Sequence, residues 1–237
     1  MTQEQVELEV KTSLLSDIRI LAELNKGNIV IHPFKLENLG SVSYDVSLGP
    51  HFFREQHPQV PQTFFNPYSK QQVKRIWGEP QIAAKAAELM VLLPNKADWE
   101  GISSEDLVIL IEPGETILAH TQEFIGGRNG FLGEMKARSS LDRIFIDTCK
   151  SAGWGDVGFI NRWTMEITNF SKRYTIPLVV GRRYAQILFF EVGPTLKEYH
   201  QDGKYQSGQI LEELIKSWIP QDMLPKLYLD KEVQGNG

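Results

Sequence analysis

From Val42 to Val192 the chain is a succession of short apolar alternations parted by Gly, Pro and Asn, a pattern that restricts it to strands joined by turns. Residues 41–48 (SVSYDVSL) alternate and stop at Gly49-Pro50, and 107–111 (LVILI) stop at Pro113-Gly114. Thr116–Ala119, Phe124–Ile125, Trp163–Thr168, Thr175–Val180 and Tyr184–Val192 add further strands. Many short strands at modest spacing predict an all-β sandwich, barrel or jelly roll.

Helical signals lie outside this stretch or interrupt it. Residues 13–25 place Leu14, Ile18, Leu21 and Leu24 at helical spacing, with Ser13 or Ser16-Asp17 as caps and Gly27 as the stop. A short strand, IVIHPF, follows and ends at Pro33. Residues 70–93 contain AAKAAELMVLL, a helix or an inserted lobe, and the tail after Gln209 reads as a helix broken by Pro220. With no repeat and no clean linker, the chain is expected to be one domain over 1–237, with an insertion at 69–105 and a C-terminal extension at 212–237.

A length of 237 residues with 41% apolar side chains supports a sizeable core. The net charge of −5 argues against a nucleic-acid binder. One cysteine, Cys149, excludes an internal disulfide and a Cys-based zinc site. No apolar run is long enough to span a membrane, and the polar N-terminus MTQEQVELEV is unlike a secretory signal, so a cytoplasmic location is expected. Charge is uneven: residues 136–183 hold nine basic and four acidic side chains. This basic island fits a small polyanionic ligand or, equally, a solvated strand face.

The chemistry-bearing residues fall in 137–169. There is no phosphate loop and no HExxH, and Gly126–Gly130 is a turn rather than a dinucleotide fingerprint. If Ser139 or Ser140 caps a helical turn, free backbone amides with Arg138 and Arg143 nearby suit a phosphate; a plain cap with surface arginines fits as well. Three glycines in Ser151–Phe159 permit a hairpin pressed against a ligand, with Asp156 accepting from a sugar hydroxyl, or an ordinary turn. In 163–168, period 2 puts Trp163, Met165 and Ile167 on one face and Thr164, Glu166 and Thr168 on the other. Glu166 then reads either as an ion-pair partner of Arg138, Arg143 and Arg162 or as a general base.

The segments RSSLDR, AGWGDVGF and WTMEITN resemble the dCTP deaminases, relatives of the trimeric dUTPases, and so do LLSDIRILAELNKGNIVIHPF, SVSYDVSLG, LIEPGETILAHTQEFI, GRRYAQILFFEV and KEYHQDGKYQSGQ. The resemblance implies a mainly β, dUTPase-like distorted jelly roll with an N-terminal helix and peripheral helices, assembled as a homotrimer with sites between subunits. It implies hydrolytic deamination of dCTP to dUTP and ammonia without zinc, the triphosphate being bound with Mg²⁺. The catalytic set implied is Glu166 as base and proton shuttle with Ser139 and Arg143. Substrate contacts fall on Arg138, Ser140, Ala152, Trp154, Asp156, Thr164, Met165, Gln186, Tyr199, Lys204 and Gln209, with Gln206 as the alternative to the last. Implied ligands are dCTP, dUTP and, as inhibitor, dTTP, with neither nucleic acid nor membrane as partner. A bifunctional enzyme giving dUMP and pyrophosphate, a dUTPase, and a silent nucleotide-binding regulator are the alternatives. The sequence departs from the family's pattern at Cys149, where a histidine is expected, and at Asp147-Thr148, which replace apolar residues.

Overall fold

Residues 13–57, 64–206 and 208–235 are described by a computed structural model; the polar segment 1–10 lies outside them. The strands are β1 (Ile29–His32), β2 (Tyr44–Arg54), β3 (Gln81–Ile82), β4 (Ala84–Lys85), β5 (Leu107–Ile111), β6 (Thr116–Gly127), β7 (Phe131–Ala137), β8 (Ile146–Asp147), β9 (Trp154–Gly155), β10 (Ile160–Asn169), β11 (Ile176–Val179) and β12 (Arg183–Glu191). The helices are α1 (Asp17–Asn25), α2 (Lys70–Trp77), α3 (Ala86–Leu92), α4 (Ser139–Asp142), α5 (Leu211–Ser217) and α6 (Lys231–Gln234).

The expected mainly β architecture is present as a curled antiparallel sheet in the order β8-β10-β6-β2-β12-β7-β9, with β5, β11 and β4 forming a second, smaller sheet. β6 is the hub. One edge pairs with β10; the other pairs with β2 over its first half and with β1 over its second. Its centre, His120 to Glu123, is polar, which is why sequence alone splits it into two strands. The structure keeps it continuous because His120, Thr121 and Glu123, its buried polar residues, are paired inside. His120 Nδ1 meets the Thr121 carbonyl at 2.8 Å, Thr121 Oγ1 donates to the Glu123 carbonyl at 2.8 Å, and Glu123 accepts the Ser47 N–H at 2.9 Å. Burial pushes His120 down to about 3, so it is neutral.

β2 likewise runs through Gly49-Pro50 instead of ending there. Its register against β6 shifts between Leu48 and Phe52. Such a bulge tolerates a residue without an N–H. Gly49 is required on packing grounds: a Cβ there would lie 2.0 Å from the His120 ring.

The first helix starts later than the spacing predicts. Ser16 caps it, accepting from the Arg19 N–H at 3.5 Å, while Leu14 is extended and bridged to Phe190. The buried face carries Ile20 and Glu23, and Ile18 is exposed. Glu23 survives burial because Lys26 and Asn28 donate to it at 2.9 and 2.7 Å.

The main core packs residues such as Tyr44, Phe189, Ile117 and Met165, all with essentially no exposed surface. Each side chain so buried contributes about 1.5–3 kcal/mol. Residues 70–93 form two helices rather than one, because Gly78 (φ 65°) closes α2 and two short strands intervene, β3 pairing with β2 and β4 with β5. Val73 of α2 joins Phe53, Leu118, Met223 and Leu224 in a second apolar cluster, packed by Trp77 and Trp218. The α2 segment and the C-terminal segment therefore meet each other on the outer side of β2 and β6.

Candidate active site

That meeting encloses a cavity of about 520 Å³. Its floor is the face of β10 carrying Arg162, Thr164 and Glu166, aligned by the period-2 pleat, while Met165 and Ile167 point into the core. A register shift between Arg162 and Thr164 seats Trp163 beneath the floor, its Nε1–H donating to the Ile125 carbonyl at 2.8 Å. One side wall is the turn and short strand around β9, with Ala152, Trp154 and Asp156; another carries Tyr199 and Tyr205. The roof is Trp77 from α2 and Trp218, Asp222, Met223 and Pro225 from the C-terminal segment.

The glycines around β9 are set by protein packing rather than by a ligand. A Cβ on Gly153 would stand 2.1 Å from the Met135 carbonyl oxygen, and one on Gly155 would stand 2.4 Å from the Trp163 ring. Gly153 thereby lets β9 lie flat on β7, and this leaves Trp154 and Asp156 facing outward at the cavity's edge.

Glu166 is half-buried, and that burial raises its carboxyl above the usual range. The charged groups acting on it from within the chain are Lys150, which favours the ionised form, and Asp147, which opposes it. The guanidinium groups expected around it are elsewhere. Arg162 is held over the Trp218 ring at 4.6 Å and over Phe124 at 5.1 Å. Arg138 pairs with Asp45 at 3.3 Å and donates to the Arg183 carbonyl at 3.0 Å. Arg143 follows α4 and is exposed.

Of the residues singled out in the sequence, the cavity gathers Ala152, Trp154, Asp156, Thr164, Glu166 and Tyr199. Ser139, Ser140 and Arg143 lie on or next to α4, exposed and outside the cavity; Arg138, whose side chain makes no cap, occupies the N-cap position expected of a serine. Gln186 lies on β12, paired with Asp45 and Lys136 of the flanking strands. Lys204 is bound to Asp230, and Gln209 donates to Glu198 at 2.8 Å; neither lines the cavity. Met165 has no exposed side-chain surface.

Gln206 braces the wall instead. It accepts from the Ile160 N–H at 2.7 Å and donates to the Gly158 and Gly208 carbonyls at 2.9 Å each. Gln206→Ala is expected to cost about 1–3 kcal/mol, since it orphans a buried N–H. Urea unfolding followed by tryptophan fluorescence measures this.

Sequence reading did not find Trp77, Trp218 and Tyr205. Their only signal is aromatic residues in segments without strand periodicity. Among the described residues no cluster of three or more His, Cys, Asp or Glu side chains could hold a metal, and no helix is long and apolar enough to cross a membrane.

A family model described as dCTP deaminase-like matches residues 14–192. The dUMP-forming dCTP deaminase of Methanosphaerula palustris is 26% identical over 196 residues, spanning 81% of this chain and 90% of that protein. The corresponding protein of Nanoarchaeum equitans is 28% identical over 213 residues, 87% of this chain and all of that one. Among solved structures, the 2′-deoxycytidine 5′-triphosphate deaminase of Agrobacterium tumefaciens shares the fold, with a TM-score of 0.52 at 17% identity over 81% of this chain. The chain spans about half, 53%, of the length of that structure's chain.

Proposed function

The chain belongs to the dCTP deaminase-like family, and from that premise we propose that it deaminates dCTP and hydrolyses the resulting triphosphate to dUMP. The observation that carries the reading is one carboxylate, Glu166, held in a cavity beside Ala152 and Asp156 within the matched region. The names of the relatives favour dUMP as product over release of dUTP.

Glu166 takes a proton from water as the oxygen attacks C4 of the cytosine. The same carboxyl passes that proton to N3, then carries the proton of the new hydroxyl to the amino group, which leaves as ammonia. A second water releases pyrophosphate. Such a shuttle needs a carboxyl poised between its two forms, and burial supplies this. Asp156 accepts from the sugar hydroxyl, and the Ala152 backbone holds the attacking water. The substrate enters as the Mg²⁺ complex of the triphosphate. Ser139 and Arg143, absent from the cavity of their own chain, reach it from a second copy in a homotrimer, with Arg138 and Ser140 on the phosphates. Residues 69–105 and 212–237 are elaborations of one domain.

The test is to incubate the chain with dCTP and Mg²⁺ and to follow ammonia and pyrophosphate separately. Both products are expected. Ammonia alone returns the product to dUTP, and neither removes the deaminase reading. Because the base must be ionised and burial raises its pKa, kcat/KM is expected to climb with pH through a midpoint above the ordinary glutamate value.

A further inference from the structure

The turn carrying Lys150 holds two successive non-glycine residues in the left-handed region, Lys150 (φ 38°) and Ser151 (φ 65°), a conformation such residues seldom adopt. Asp147 braces it, its Oδ1 accepting from the backbone N–H groups of Cys149 at 3.2 Å and Lys150 at 3.4 Å. The Lys150 side chain returns to the sheet, where Nζ donates to Thr116 Oγ1 at 3.0 Å. Thr116 Oγ1 is in turn 2.8 Å from Thr168 Oγ1, its partner across β6 and β10. The next pair on that face is Leu118–Glu166, about 7 Å along the ladder, and both residues line the cavity. The ammonium is thus held outside the cavity lining, one step along the ladder from the pair that carries the carboxylate.

We propose that Lys150 is a positioning residue for Glu166: donating to Thr116, its ammonium holds the half-buried carboxylate in the charged form that can accept a proton from water. The inference rests on Glu166 being the base. Burial works against that form, Lys150 favours it, and Asp147 on the same turn opposes it. The other titratable or charged side chains facing the cavity are Asp156, Arg162, Asp222, Tyr199 and Tyr205. Of these, the one cation, Arg162, is drawn onto Trp218 and Phe124, and Asp222 pairs with Lys226 at 3.3 Å. The role belongs to this chain's own turn, where Asp147-Thr148-Cys149 departs from the pattern the resemblance leads one to expect.

The experiment compares wild type, Lys150→Met and Lys150→Arg. Ammonia release from dCTP is measured between about pH 5.5 and 9, and the Glu166 carboxyl is titrated by ¹³C NMR in the full chain without nucleotide. Lys150→Met is expected to lose about tenfold in kcat/KM at the acid end and little at the alkaline end. Its carboxyl midpoint should move upward, and Lys150→Arg should restore both. A Lys150→Met profile parallel to wild type, with an unmoved carboxyl midpoint, overturns the proposal while leaving Glu166 as base. A wild type that releases no ammonia although the midpoint still moves overturns the deaminase reading and leaves the influence of Lys150 on Glu166 standing.

Discussion

Glu166→Gln is expected to lower ammonia release from dCTP by about 10²- to 10⁴-fold, the range for removing a positioned acid–base group. The amide keeps the shape and the neighbours of the carboxyl but can neither take a proton from water nor return one. Its fold should survive, because the substitution removes a charge that burial disfavours. Binding should survive too, since the remaining walls of the cavity are untouched. The measurement pairs an ammonia assay with calorimetric titration of dCTP. Turnover near wild type would remove Glu166 from the chemistry whatever the binding result.

Gly153→Ala is expected to be a severely damaging small substitution at the site's wall. The added Cβ would meet the Met135 carbonyl oxygen at 2.1 Å, and that atom belongs to a paired strand that cannot rotate away. The Met135 N–H also donates to the Gly153 carbonyl at 2.6 Å, so displacement breaks a bond as well as packing. A cost of about 3 kcal/mol or more follows, at or above the upper end of ordinary overpacking. Since β9 lifts off β7, Trp154 and Asp156 lose their place, and dCTP affinity should fall along with thermal stability. Calorimetric unfolding together with nucleotide titration tests this; an unchanged melting temperature would mean that the strand pair is looser than the structure places it.

Much of this fold is legible in the sequence wherever one physical pattern dominates. The pleat of residues 163–168 sorts Met165 inward and Glu166 outward without any tertiary information, and the glycines of 151–159 announce a close approach. Legibility fails where a tertiary partner overrides local preference. His120 and Glu123 look like a turn until the Thr121 carbonyl and the Ser47 N–H that satisfy them are known. Pro50 looks like a strand end until a bulge supplies a place that needs no donor. Ser139 looks like a cap, yet the chain enters α4 one residue earlier. The roof of the cavity was invisible because Trp77 and Trp218 are brought together only by the shared cluster on Phe53 and Leu118. The glycines signalled a close approach correctly but not what approaches: the neighbours are the protein's own Met135 carbonyl and Trp163 ring.

The three-way pairing of β6 has a kinetic corollary. Its partners β1, β2 and β10 are scattered along the chain, so almost none of its ladder arises from local loop closure. During synthesis, β1 and β2 must wait for β6 to leave the ribosome, and the strand bearing Glu166 arrives later still. Refolding from denaturant should therefore recover deaminase turnover as a late event, with no partially active intermediate before it.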